Sequence, residues 1–199
     1  MRVDIDLIKL KLKEMLCEER FEHSVNTSKV ARRLAIKYNY NADKAEIAGL
    51  LHDCAKDLDY EILKKMVLEY NIKVDKIIQR IPKLLHPLVG ATIARKEFNI
   101  QDPVILKAIK AHSTGAVQMS LLDKIIYLSD KIEPLRDMSG VEEAREMAEK
   151  DLNRAVFMVL NRGLIYLISK SLLIHPVSIK ARNNILNKVG GFGKCLKIV

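Results

Sequence analysis

The sequence predicts an all-α fold, a helical array in one main domain. Three observations lead there. Apolar residues recur at helical spacing along most of the chain, recognisable helix-start residues stand before these runs, and no segment alternates at period two for long enough to form a strand. Only 8 Gly and 5 Pro among 199 residues leave little room for a turn-rich β architecture.

The elements follow in order. Leu7, Ile8, Leu12, Met15 and Leu16 mark a helix over 5–17, and Val25, Val30, Leu34 and Tyr38 mark a second over 22–38. Asn41 is an N-cap, with Asp43 in the first turn, for a helix running to about Cys54. Asp59 caps the next, EILKKMVLEY. A basic stretch after Asn71 leads to His86, and Pro87 suits the first position of a helix over 87–98. Asp102-Pro103 opens a helix ending near His112. Ser120 and Asp123 form a capping box for a helix through Asp130, which Glu133-Pro134 ends. A helical pattern fills 141–169, in one piece or in two broken at Lys150-Asp151. His175-Pro176 is a break before a short helix over 178–188. The predicted division is an N-terminal helix over 1–19, a domain over 20–189 and a frayed basic tail over 190–199.

Composition narrows the classes. With 49% hydrophobic residues but 5% aromatics and no Trp, the core must be aliphatic. The net charge of +9 suits a polyanionic partner, a nucleotide or a nucleic acid, as well as simple solubility. The basic residues are dispersed and lack interleaved aromatics, which argues against nucleic acid. Three cysteines without paired spacing point to a reducing compartment, the cytoplasm. The charged start MRVDIDLIKL is not a signal peptide, and no apolar run reaches the roughly 20 residues of a membrane span. The continuous apolar stretch 155–168 fits either burial in the core or a homodimer interface.

Chemistry concentrates in one ordered series: His23, His52-Asp53, His86, His112 and Asp130. Four of the five histidines belong to it, and several members fall at helix ends, where side chains can converge. Imidazole and carboxylate suit Fe, Mn, Zn or Ni, and six such groups can hold one or two ions. Adjacent helical residues point about 100° apart, so His52 and Asp53 reach a common metal only from a helix edge, or Asp53 bridges two. Lys56 lies three residues after Asp53 and Arg20 three before His23, each on the same edge as its neighbour. Arg136 offers a planar fork for phosphate, and Ser113, Thr114 and Gly115 form a polar turn that can donate to phosphate oxygens. Glu133 either orients Arg136 or is a plain helix-end carboxylate. Cys54 reads as a small buried packing residue.

The order H…HD…D resembles the HD-domain superfamily of metal-dependent phosphohydrolases, an all-α fold. The strings RFEHSVNTSKVARRLA, AGLLHDCAKDL, HPLVGATIA, IKAHSTG, LLDKIIYLSDKIEPLRDMSGV and ARNNIL narrow the similarity to the YqeK branch, bacterial symmetrical bis(5'-nucleosyl)-tetraphosphatases. It spans roughly residues 20–186. The resemblance implies hydrolysis of diadenosine tetraphosphate to two ADP, with iron as the metal. It implies His23, His52, Asp53 and Asp130 as core ligands, and His86 and His112 as holding a second metal or the phosphate chain. Asp53, His86 and His112 are thereby the expected catalytic residues. Arg20, Lys56, Ser113, Thr114 and Arg136 are expected to bind substrate, and His175 to line a nucleoside pocket. Ser113 and Ser129 stand where the branch usually has Thr and Ala, and neither exchange removes a needed group. The competing expectations are a sibling enzyme acting on a dNTP or a guanosine alarmone, and a non-catalytic helical module binding nucleotide or RNA.

Overall fold

The computed structural model describes residues 4–190. Among these, eleven α-helices and a single 3-10 turn account for the regular structure: α1 (Ile5–Met15), α2 (Glu18–Lys37), α3 (Ala42–Leu51), α4 (Tyr60–Glu69), α5 (Lys76–Arg80), a 3-10 turn (Pro82–Leu84), α6 (Leu85–Lys96), α7 (Pro103–Ala111), α8 (Leu121–Ile132), α9 (Val141–Ala148), α10 (Leu152–Ser169) and α11 (Pro176–Lys188). The all-α expectation holds. The expected tail lies, from residue 191 on, outside the described residues.

Several predicted caps act as expected. The Asn41 side chain accepts from the Lys44 N–H, Asp102 from Val104, and Ser120 and Asp123 close a reciprocal capping box on α8. Asp151 accepts from Arg154 and starts α10, so the 141–169 pattern is two helices. Other boundaries differ from expectation. α2 starts at Glu18, because the Asp57 carboxylate receives the Cys17 N–H at 2.9 Å and fixes the chain's entry. Asp75 caps α5 inside the basic stretch that carried no predicted helix. The 3-10 turn runs straight into α6, which places His86 within the helix rather than before it. Pro87 becomes the third helical residue, where its missing N–H would have had no intrahelical partner. α11 begins at Pro176, two residues early, since the His175 ring receives the Val177 N–H and caps the helix.

The core is aliphatic, as composition required. Leu12, Leu34, Leu50, Leu51, Ile109, Leu122, Ile125, Ile126, Leu128 and Leu160 are among its fully buried side chains. α8 lies centrally, burying residues on nearly all its faces, from Leu122 to Ile132. α2 packs closely on α3 through Gly49, where a Cβ would fall 2.7 Å from the Ser28 Cα. That approach brings the end of α3 beside the first turns of α2, and so His52 beside His23.

Candidate metal centre and active site

Five helices deliver one side chain or pair each to a common point. His23 comes from α2, His52 from the C-cap of α3 with Asp53 next to it, His86 from the first turn of α6, His112 from the C-cap of α7, and Asp130 from the last turns of α8. All six are buried, Asp53 to 2% exposure.

The imidazoles share one design. His52, His86 and His112 place Nδ1 at 2.7, 2.6 and 2.8 Å from the carbonyls of Gly49, Lys83 and Ile109, each three residues back. A carbonyl can only accept, so each Nδ1 carries the proton and each Nε2 turns a lone pair inward. His23 lies inside α2 with no free local carbonyl, and its Nδ1 donates instead to Glu133 Oε1 at 3.0 Å.

The inward atoms form two groups joined by Asp53. In the first, His23 and His52 Nε2 are 3.1 Å apart, Asp130 Oδ1 lies 3.2 and 3.8 Å from them, and Asp53 Oδ2 lies 3.9 and 3.7 Å from them. In the second, His86 and His112 Nε2 are 3.1 Å apart, and each is 3.1 Å from Asp53 Oδ1.

This donor set fits divalent cations. Lone pairs facing lone pairs at hydrogen-bond distance repel unless a positive charge lies among them. Asp53 Oδ1 is buried with no donor among the described residues, and an orphaned buried acceptor of that kind is costly. Burial holds His52 neutral, its pKa lowered to about 3, and His86 to about 4 despite the opposing pull of Asp53. Burial also disfavours the Asp53 and Asp130 carboxylates. The Lys131 ammonium outweighs it at Asp130, and both pKa values stand well below the usual range. The groups are thus ready-deprotonated ligands at neutral pH.

Cationic and hydroxyl groups rim the centre. Arg20 Nη1 donates to Asp53 Oδ2 at 3.1 Å, and Lys56 Nζ lies 3.3 Å from His86 Nε2. Arg136 grips Asp130 twice, Nε to the main-chain oxygen at 2.8 Å and Nη2 to Oδ1 at 2.7 Å. Ser113 Oγ is 3.0 Å from His112 Nε2. Thr114 turns its hydroxyl to the Gly115 carbonyl instead. His175 is not brought into this network; it pairs with Asp75 Oδ2 at 2.8 Å and caps α11.

Two groups were missed or undervalued in sequence. Lys131 pairs with the second Asp130 oxygen, and Glu133 anchors His23 rather than serving chiefly Arg136. Adjacency to Asp130 was the available signal for Lys131. Beside it opens a cavity of about 560 Å³, lined by Ser113, Tyr127, Lys131, Leu160, Leu164 and Tyr166 among others. Its walls are mainly apolar, with Ser113, Lys131, Ser139, Arg162 and Ser178 as polar members.

Residues 20–135 match the HD domain family. The chain belongs to the HD-domain family. Its similarity extends beyond that segment. It is 36% identical over 165 residues, 83% of this chain and 88% of the other, to the symmetrical bis(5'-nucleosyl)-tetraphosphatase of Bacillus subtilis. It is 37% identical over 175 residues, 88% and 93% of the two chains, to the protein of the same name from Halalkalibacterium halodurans. A crystal structure from Clostridium acetobutylicum, described as a predicted HD superfamily hydrolase involved in NAD metabolism, superposes with a TM-score of 0.89 at 39% identity, covering 93% of this chain and 98% of that one. An HD domain implies divalent metal binding, and in this HD-domain chain the clusters His23–His52–Asp130 and His52–Asp53–His112 each bring ligand atoms close enough to hold an ion.

Proposed function

We propose that this HD-domain chain is a metal-dependent hydrolase that cleaves diadenosine tetraphosphate symmetrically, giving two ADP. The observation that carries the chemistry is Asp53, one oxygen in each of two ligand groups, within a ring of cations. The names of the similar proteins supply the substrate class.

His23, His52, Asp53 and Asp130 would hold one ion, and Asp53, His86 and His112 a second. Bound there, divalent transition metals supply Lewis acidity, easing deprotonation of water and offsetting charge on phosphate oxygens. Fe is the ion the family resemblance favours; Mn, Zn and Ni accept the same ligands. The rest is the work of side chains. Arg20, Lys56, Lys131 and Arg136 draw the phosphate chain across the centre and neutralise charge that grows as water adds to a central phosphorus. Burial lowers the pKa of Lys56, against the pull of Asp53 and Asp130, which makes its ammonium a readier proton donor than an exposed lysine. The Ser113 hydroxyl donates to a phosphate oxygen. The bond that breaks joins that phosphorus to the bridging oxygen, and the electron pair leaves with ADP, a good leaving group. The apolar cavity beside Lys131 takes one nucleoside, with Tyr127 and Tyr166 as its rings.

No helix of the described residues is long and apolar enough to cross a membrane. With Cys17 and Cys54 both free thiols, the cytoplasm is the compartment we assign. The exposed Ile165, Ile168 and Leu172, at and just past the end of α10, are the face on which two copies would pair.

Anaerobic purification with elemental analysis, followed by product chromatography on diadenosine tetraphosphate, tests the reading. One or two equivalents of metal with ADP as sole nucleotide product is the expected result. ATP plus AMP would reject symmetrical cleavage. Turnover of dNTPs or guanosine alarmones but not the dinucleotide would reassign the substrate.

A further inference from the structure

Glu133 is placed where a carboxylate should not be without cause. It is the C-cap of α8, facing the negative end of the helix dipole, and only 1% exposed. Both facts raise the free energy of an ionised group. Its conformation is set locally: Pro134 forces the preceding residue out of the helical region, and Glu133 adopts ψ 157°. This turns the side chain back toward α2. Oε2 receives the Leu135 N–H at 2.8 Å, which locks the carboxylate plane, and Oε1 receives His23 Nδ1 at 3.0 Å. Arg145 fastens the same corner by donating to the main-chain oxygens of Ile132, Glu133 and Arg136.

The four site imidazoles are therefore not equivalent. Three are backed by neutral carbonyls, and one by a carboxylate. A carboxylate behind an imidazole fixes its orientation and raises its basicity as a ligand. The two ligand groups differ in the same sense. Cations stand beside both, Arg20, Arg136 and Lys131 at the first and Lys56 at the second, but the His23 group has two carboxylates facing two imidazoles, whereas the His86 group has Asp53 alone.

We propose that Glu133 is a positioning residue that makes the His23–His52–Asp130 group the tighter of the two metal sites, so that it fills first. The inference rests on the metal-dependent reading above. It assigns Glu133 no contact with substrate.

Anaerobic Co²⁺ titration, followed by calorimetry and by visible absorption of the bound ion, provides the test. Wild type is expected to bind in two steps of unequal affinity. Glu133→Gln keeps the size but loses the charge, and one amide can no longer satisfy both His23 Nδ1–H and the Leu135 N–H. Affinity of the first step should fall by about 10–100-fold, the range for outer partners of ligating histidines. The second step should be unchanged, and the absorption of the first ion should shift. Glu133→Ala should do the same more strongly, and Gln serves if Ala does not fold. Unchanged affinities, or equal weakening of both steps, would overturn the role of Glu133. Wild type that takes up no Co²⁺ would overturn the metal-dependent reading itself, and this inference with it.

Discussion

His86 and His112, on different helices, hold their Nε2 atoms 3.1 Å apart, while both Nδ1 atoms are tied to main-chain carbonyls. Two imidazole lone pairs converge there on Asp53 Oδ1, 3.1 Å from each. Such a meeting is unfavourable without a cation. It explains why sequence left these two histidines with alternative roles, metal or phosphate, and why their geometry favours the metal. His86→Ala and His112→Ala are each expected to lose one metal equivalent and to lower kcat by roughly 10²-fold or more, the scale for deleting a transition-state stabiliser. Asp53→Ala should lose both equivalents. Metal analysis beside turnover checks this; an Asp53 variant with full metal content would disprove the bridging role.

Arg136 reaches Asp130 through both Nε and Nη2. A lysine cannot reproduce that fork. Arg136→Lys should reduce kcat/KM by about 10–100-fold, the equivalent of one or two charged hydrogen bonds. Steady-state kinetics on diadenosine tetraphosphate reads the change, and wild-type kinetics from the variant would show that a point charge suffices.

Acid should unfold the metal-free chain early. His52 and His86 have folded pKa values lowered by burial to about 3 and about 4, against roughly 6.5 in an unfolded chain. Below about 6.5 the unfolded state takes up protons that the folded state refuses, so stability falls as pH drops through this window. The loss approaches about 1.4 kcal/mol per group and pH unit. Asp53 and Asp130, depressed in the fold, contribute stability above the ordinary carboxylate value of 3.8 and lose it below. Thermal melts in chelator at pH 7, 5.5 and 4.5 should show steadily falling Tm. A flat Tm across that range would contradict neutral buried histidines.

Gly49 permits the contact of α2 with α3. A methyl group there would meet the Ser28 Cα at 2.7 Å, and backbone cannot step aside as a flexible side chain can. Gly49→Ala should cost about 1–3 kcal/mol, as overpacking typically does. It should also weaken metal binding, because His52 ends the helix that must shift. Denaturant unfolding and Co²⁺ titration on the same variant measure both; a variant as stable as wild type would mean that α2 and α3 separate freely.

Much of this was legible locally. Caps such as Asn41, Asp102 and Ser120 act within three residues of themselves, and apolar spacing reports which face of a helix is buried, so helix order and the six converging groups could be read along the chain. Boundaries failed where a distant group intervened, as when Asp57 holds the Cys17 N–H and starts α2 early. The pairing of His175 with Asp75, far away in sequence, was not legible either.

Packing alone decided how the six groups divide. Whether Asp53 bridges or His52 shares its metal depends on the angles at which α2, α3, α6, α7 and α8 meet, and those angles come from core contacts between residues remote in sequence. The same holds for Glu133 behind His23, 110 positions apart, and for the apolar cavity that α8 and α10 enclose beside Lys131. Hydrogen bonds and ligand geometry act over about 3 Å, whereas sequence spacing constrains position only within a turn or two of one helix.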